Sequence, residues 1–203
     1  MTSPIRASLS LLLAALLSGL ASMAAGQSTS VEQILEGLTA ISRAKCQDRG
    51  ALEQEFRAQG KIGEARGIRL AERNFCECVP AQVDALRASL SQQAREQRMT
   101  EGEFQAQYMP RIVNKCAAEQ MRATYGEGCS EQFAAVQRNS AAYCQCMQQA
   151  VSRLADADIA QIGLESSDYM PRAAEARRRG EPPPEQTPGL KQFQAMHASC
   201  TAK

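Results

Sequence analysis

Eight cysteines constrain this chain more than any other feature, because they fall into two sets of the same form. Each set holds a C-x-C pair flanked by single cysteines: Cys46, Cys76-Glu77-Cys78 and Cys116 first, then Cys129, Cys144-Gln145-Cys146 and Cys200. An aromatic residue precedes each pair, Phe75 in one and Tyr143 in the other. An even number of cysteines in repeated order reads as a disulfide framework, and disulfides persist in oxidising compartments.

The N-terminus points to the same compartment. Arg6 supplies a short positive region, residues 9–20 form an apolar core rich in Leu and Ala, and residues 21–26 are mostly small. This has the form of a secretory signal peptide over residues 1–25, cut between Ala24 and Gln27. The apolar run is shorter than the ~20 residues of a comfortable membrane span, and no cysteine near the cut suits a lipid anchor. The expected location is the periplasm, with release from the cell as an extension of the same route.

Loss of residues 1–25 removes Arg6 and leaves 22 basic against 22 acidic residues. A neutral chain exerts no general pull on nucleic acid or anionic lipid. The expected partner is another envelope or secreted protein, with no nucleic acid and no membrane span in the mature chain.

Ala, Gln, Glu, Arg and Leu dominate, aromatics are 4%, and Trp is absent. These residues favour helix, and no run alternates β-branched residues. The expected fold is all-α: two similar disulfide-stapled helical-bundle modules in tandem, residues 26–125 and 126–203. Val31, Ile34, Leu35, Leu38 and Ile41 make one helical stripe, behind a capping box of Ser30 and Gln33. A short helix with Leu52 and Phe56 follows. Pro80 predicts a break or kink at Val79. Thr100 and Glu103 form a second capping box, and Phe104, Tyr108, Ile112 and Cys116 share a helical face. Gly126 and Gly128 mark the module boundary. The tetrapeptide Tyr-Met-Pro-Arg occurs at residues 108–111 and again at 169–172, which supports duplication. Three prolines, Pro182 to Pro184, predict an extended loop before a last helix over Leu190 to Ser199.

Two residues apart on a helix are separated by about 200°. The cysteines of a C-x-C are therefore placed to bond two different neighbours. Each C-x-C helix becomes the middle of three, with Cys76 and Cys78 reaching Cys46 and Cys116, and Cys144 and Cys146 reaching Cys129 and Cys200. Which sulfur takes which partner is open. Eight cysteines allow on the order of a hundred pairings, among them a Cys116–Cys129 bond between the halves.

Other chemistries fit less well. A redox C-x-C needs a lowered thiolate pKa, and Glu77 and Gln145 do not supply it. The usual C-x2-C zinc spacing is absent, so no metal ligands are assigned. His197 is the single histidine and reads as an exposed residue of a terminal helix. No nucleophile motif is present, and Glu53/Glu55 and Asp156/Asp158 read as solvated faces or helix starts. No catalytic residue and no cofactor are assigned. Arg177, Arg178 and Arg179 form the strongest local charge and are the candidate interaction residues, next to a flexible proline loop.

The aromatic-C-x-C segments Phe75-Cys76-Glu77-Cys78 and Tyr143-Cys144-Gln145-Cys146, with the signal peptide, resemble a group of uncharacterised proteobacterial periplasmic proteins built from helical modules. The resemblance implies an exported helical protein and transfers no activity. The expected function is a non-enzymatic binding or adaptor role in the envelope: a secretion or assembly accessory factor, or an inhibitor or immunity protein. The alternative is thiol-disulfide or copper handling.

Overall fold

A computed structural model describes residues 28–201; the signal peptide assigned to residues 1–25 lies outside them. The chain is all-α. Its helices are α1 (Val31–Lys45), α2 (Ala51–Ala58), α3 (Ile62–Arg73), α4 (Val79–Ser89), α5 (Gln92–Glu96), α6 (Glu101–Gln107), α7 (Met109–Thr124), α8 (Cys129–Phe133), α9 (Ser140–Ser152), α10 (Asp156–Arg179) and α11 (Pro188–Thr201). Strands β1 (Thr29–Ser30) and β2 (Arg98–Met99) pair antiparallel ahead of α1 and α6.

Both capping boxes form. Ser30 Oγ accepts from Gln33 N at 3.3 Å, and Thr100 Oγ1 accepts from Glu103 N at 3.3 Å. Each satisfies donors that a helix start leaves unpaired. The predicted stripe of α1 is buried from Val31 to Leu38, against Val79, Val83 and Leu86 of α4 and Ile112 of α7. Phe104, Tyr108, Ile112 and Cys116 are all buried, though the chain changes helix at Tyr108.

The predicted break at Val79 does not occur. Val79 is helical, at φ −58° and ψ −50°. Instead the five residues Asn74–Cys78 form a π turn that joins α3 to α4 and carries the first C-x-C. The turn solves the proline problem. Val79 N donates to Asn74 O, five residues back. The next donor in that register would be Pro80, which has no N–H. Its acceptor, Phe75 O, takes the Ser42 hydroxyl instead, at 3.1 Å in a buried site.

Four disulfides join Cys46 to Cys76, Cys78 to Cys116, Cys129 to Cys144 and Cys146 to Cys200, and no cysteine of the chain is free. Both sets are bonded in the same order, with each C-x-C tied to two different helices. Cys116 and Cys129 are not bonded to each other. The buried apolar residues form two clusters. One runs from Val31 to Cys116, the other from Ala118 to Cys200. Helix α7 serves both, so the change of core falls within a helix.

The two Tyr-Met-Pro-Arg segments are not structural equivalents. Pro110 sits in the first turn of α7, where a missing N–H is harmless. Pro171 lies inside α10, which continues for eight residues to Arg179. The loop over residues 181–187 is extended, as three prolines require, and its C-terminal end is tied to α10. Thr187 Oγ1 donates to Glu165, and Gln186 Nε2 donates to the Tyr169 hydroxyl at 3.4 Å, both on α10.

Candidate functional site: a groove beside the Cys129–Cys144 disulfide

Helix α9 begins at Asn139, whose side chain accepts from Ala142 N at 3.3 Å. From that start, Tyr143, Met147 and Val151 recur every four residues and turn inward with Cys144. Ala141, Gln145 and Gln148 face solvent. Opposite them, the turn over residues 126–128 leads into α8. Between the two lies an open groove of about 360 Å³, with the Cys129–Cys144 bond and Tyr125 in its lining. Ser130, Gln145 and Gln148 supply hydrogen-bonding groups, and Glu127 is the one carboxylate of the lining.

The turn is held from below by Arg66 of α3, which is 4% exposed. Its guanidinium uses all five N–H groups. Nε donates to Glu127 O at 3.1 Å, and Nη1 donates to Thr124 O at 3.1 Å and to Gln132 Oε1. Nη2 donates to Ala123 O at 2.6 Å and to Glu127 O at 2.5 Å. A cation thus caps the carbonyl end of α7, where the helix dipole favours it. Burial lowers the Arg66 pKa, Arg69 adds to this, and Glu131 opposes it. Gly128 makes the approach possible. Its φ is +75°, and a Cβ there would stand 2.9 Å from Arg66 Nε. Gly63 does the same for the helices, since its Cβ would meet Gln132 O at 2.9 Å.

Behind the groove, His197 is half-buried between two tyrosines rather than exposed. The Tyr125 hydroxyl lies 3.1 Å from Nε2, and the Tyr143 hydroxyl 2.6 Å from Nδ1. Phe193 packs edge-on to the imidazole at 4.6 Å, and Phe133 stacks on Tyr125 at 6.0 Å. Burial raises the Tyr143 pKa to about 12. Burial, then the neighbouring Tyr143, raises that of Tyr125 well above 10.0. Both phenols therefore stay protonated at neutral pH, and the cluster locks α11 to α7 and α9. The groove presents amides, a hydroxyl and a carboxylate, a set suited to hydrogen-bonding a polar surface.

Arg177, Arg178 and Arg179 occupy the last turn of α10 and do not line the groove. Arg178 and Arg179 both pair with Glu175, the latter at 2.8 Å, which reduces the charge they offer to a partner. Glu53 pairs with Arg57 at 2.8 Å and Asp156 with Arg122 at 2.7 Å, in keeping with a solvated face and a helix start. Among the described residues no three His, Cys, Asp or Glu side chains are grouped to hold a metal ion, and no helix is long and apolar enough to cross a membrane. Arg66, Tyr125 and Gln132 were not singled out by the sequence. The Gly126/Gly128 turn was the one local signal, and it read as a boundary.

The fold defines a class: an all-α chain whose helices are clamped by four disulfides, suited to an oxidising, exported environment. No family model, curated protein or solved structure matches it.

Proposed function

We propose that this chain is an exported, non-enzymatic binding or adaptor protein of the bacterial envelope, acting in the periplasm after removal of residues 1–25. Secretion or assembly accessory factors and inhibitor or immunity proteins are the roles of this kind. The observation that carries the reading is that all eight cysteines are consumed in bonds between helices. Two disulfides per small core, at about 2–4 kcal/mol each, rival the whole stability of a small domain. Such a chain invests in rigidity. The groove is braced by Cys129–Cys144 and by Arg66. A preformed surface loses little entropy on binding. The same order of bonding in both sets supports reading them as tandem copies, and supports the resemblance to helical aromatic-C-x-C proteins.

The thiol or copper-handling alternative has less behind it, since each C-x-C is closed onto two separate helices. The test is crosslinking of the exported protein in intact envelopes, followed by purification and mass analysis. A stoichiometric protein partner, lost on Gln145→Arg or Gln148→Arg with the fold intact, is the expected result. Recovery of the chain alone under all crosslinkers would overturn it.

A further inference from the structure

The four disulfides differ in who can reach them. In three, at least one cysteine is buried: Cys116, Cys129 together with Cys144, and Cys200. In Cys46–Cys76 neither is; both are half-buried at the edge of the first core. We propose that Cys46–Cys76 is a thiol–disulfide exchange site, opened by an external dithiol while the other three bonds stay closed. The proposal does not depend on the adaptor reading.

The surroundings leave the bond partly open to solvent. Cys46 caps α1 and enters an exposed turn, residues 47–49. Helix α2, the element that follows, buries none of its own residues and so shields little. The adjoining surface carries Arg43, Lys45 and Arg49 against Asp48 and Glu77, with Arg49 paired to Glu77. All five residues are exposed, so the surface beside the bond is polar and open to water. Access and local charge, rather than bond number, set exchange rates.

The chemistry is ordinary exchange. A thiolate attacks Sγ of Cys46 or Cys76, the S–S bond breaks, and the other sulfur leaves as a thiolate that takes up a proton. The second thiol of the reductant then displaces the mixed disulfide. The cystine gains two electrons and two protons, and the dithiol becomes a disulfide. Opening is local. Val31, Ile34, Leu35 and Leu38 keep α1 docked, and Ser42 still bonds Phe75 O. What is released is one anchor of the 30-residue span that contains the α2–α3 hairpin.

The test uses the native full-length mature protein. It is exposed to dithiothreitol, quenched by alkylation at intervals, and mapped by peptide mass. Cys46 and Cys76 should be alkylated together, ~10-fold or more before any other cysteine, with unchanged circular dichroism. Glutathione in place of dithiothreitol should leave a mixed disulfide on one of the two. In Cys46→Ser/Cys76→Ser the fast phase should vanish and the other three bonds keep their slow rates. Earlier opening of another bond, or joint opening of all four at the rate of global unfolding, would overturn the proposal, and the wild-type experiment decides this even if the variant does not fold.

Discussion

The hydroxyl of Ser42 supplies the hydrogen bond that Pro80 withholds from the Phe75 carbonyl, at 3.1 Å and out of reach of water. One side chain on α1 thereby allows a proline to follow a C-x-C without breaking the helix. It also holds the π turn against α1, beside the bond from Cys46 to Cys76.

Ser42→Ala should cost about 1–3 kcal/mol, the loss expected when a buried acceptor is left unpaired. Thermal or urea unfolding measures it. Pro80→Ala restores an N–H in the same register, so Ser42→Ala should cost less in that background. Equal costs in both backgrounds would show that the two residues do not share the carbonyl.

Arg66 is a specific demand of the fold, not a generic cation. Arg66→Lys keeps the charge but cannot fill five positions in a planar fork, and should destabilise by about 2 kcal/mol or more. Gly128→Ala should cost about 1–2 kcal/mol from the left-handed φ alone, plus the displacement of Arg66. Denaturant melts of the two single variants and the double variant should show strong non-additivity, since both act on one contact.

Alkaline pH should loosen the second core. An unfolded tyrosine loses its proton near 10, whereas folded Tyr143 holds it to about 12, and Tyr125 is also raised. Over this window the unfolded state binds fewer protons than the folded one. Stability is therefore fully present below about pH 10 and falls as pH rises toward 12. Absorbance titration should show two late-ionising tyrosines, and Tyr143→Phe should flatten the loss of stability.

Removing whole disulfides ranks the staples. In the chain-entropy account a bond spanning 54 residues, Cys146–Cys200, contributes about 4 kcal/mol, and one spanning 15, Cys129–Cys144, about 3 kcal/mol. Paired Cys→Ser variants compared by chemical denaturation should keep that order. The Cys146/Cys200 variant should also free α11, seen as hydrogen exchange over residues 188–201.

Much of the architecture was readable in one dimension, because it depends on spacing along a helix. The stripe from Val31 to Leu38, the capping boxes at Ser30 and Thr100, and the run Phe104–Tyr108–Ile112–Cys116 are all local periodicities. The C-x-C argument belongs with them, since two residues apart on a helix point to different neighbours. The candidate site was not readable in this way. Tyr125, Tyr143 and His197 are far apart in the chain, and no local pattern marks them as a cluster. Nor does any local pattern mark Arg66. The recurrence of Tyr-Met-Pro-Arg does not fix a shared local structure, because a proline that starts α7 and a proline inside α10 have the same local sequence.

By itself the sequence determined the helical class, the oxidising environment and the two C-x-C staples, all of which follow from residue type and helical pitch. Only the tertiary structure decided which sulfurs meet, how Pro80 is absorbed into a π turn, that Arg66 is buried, and that His197 sits half-buried between two tyrosines. Those outcomes depend on which helix faces are brought together in space, and distance along the chain does not specify them.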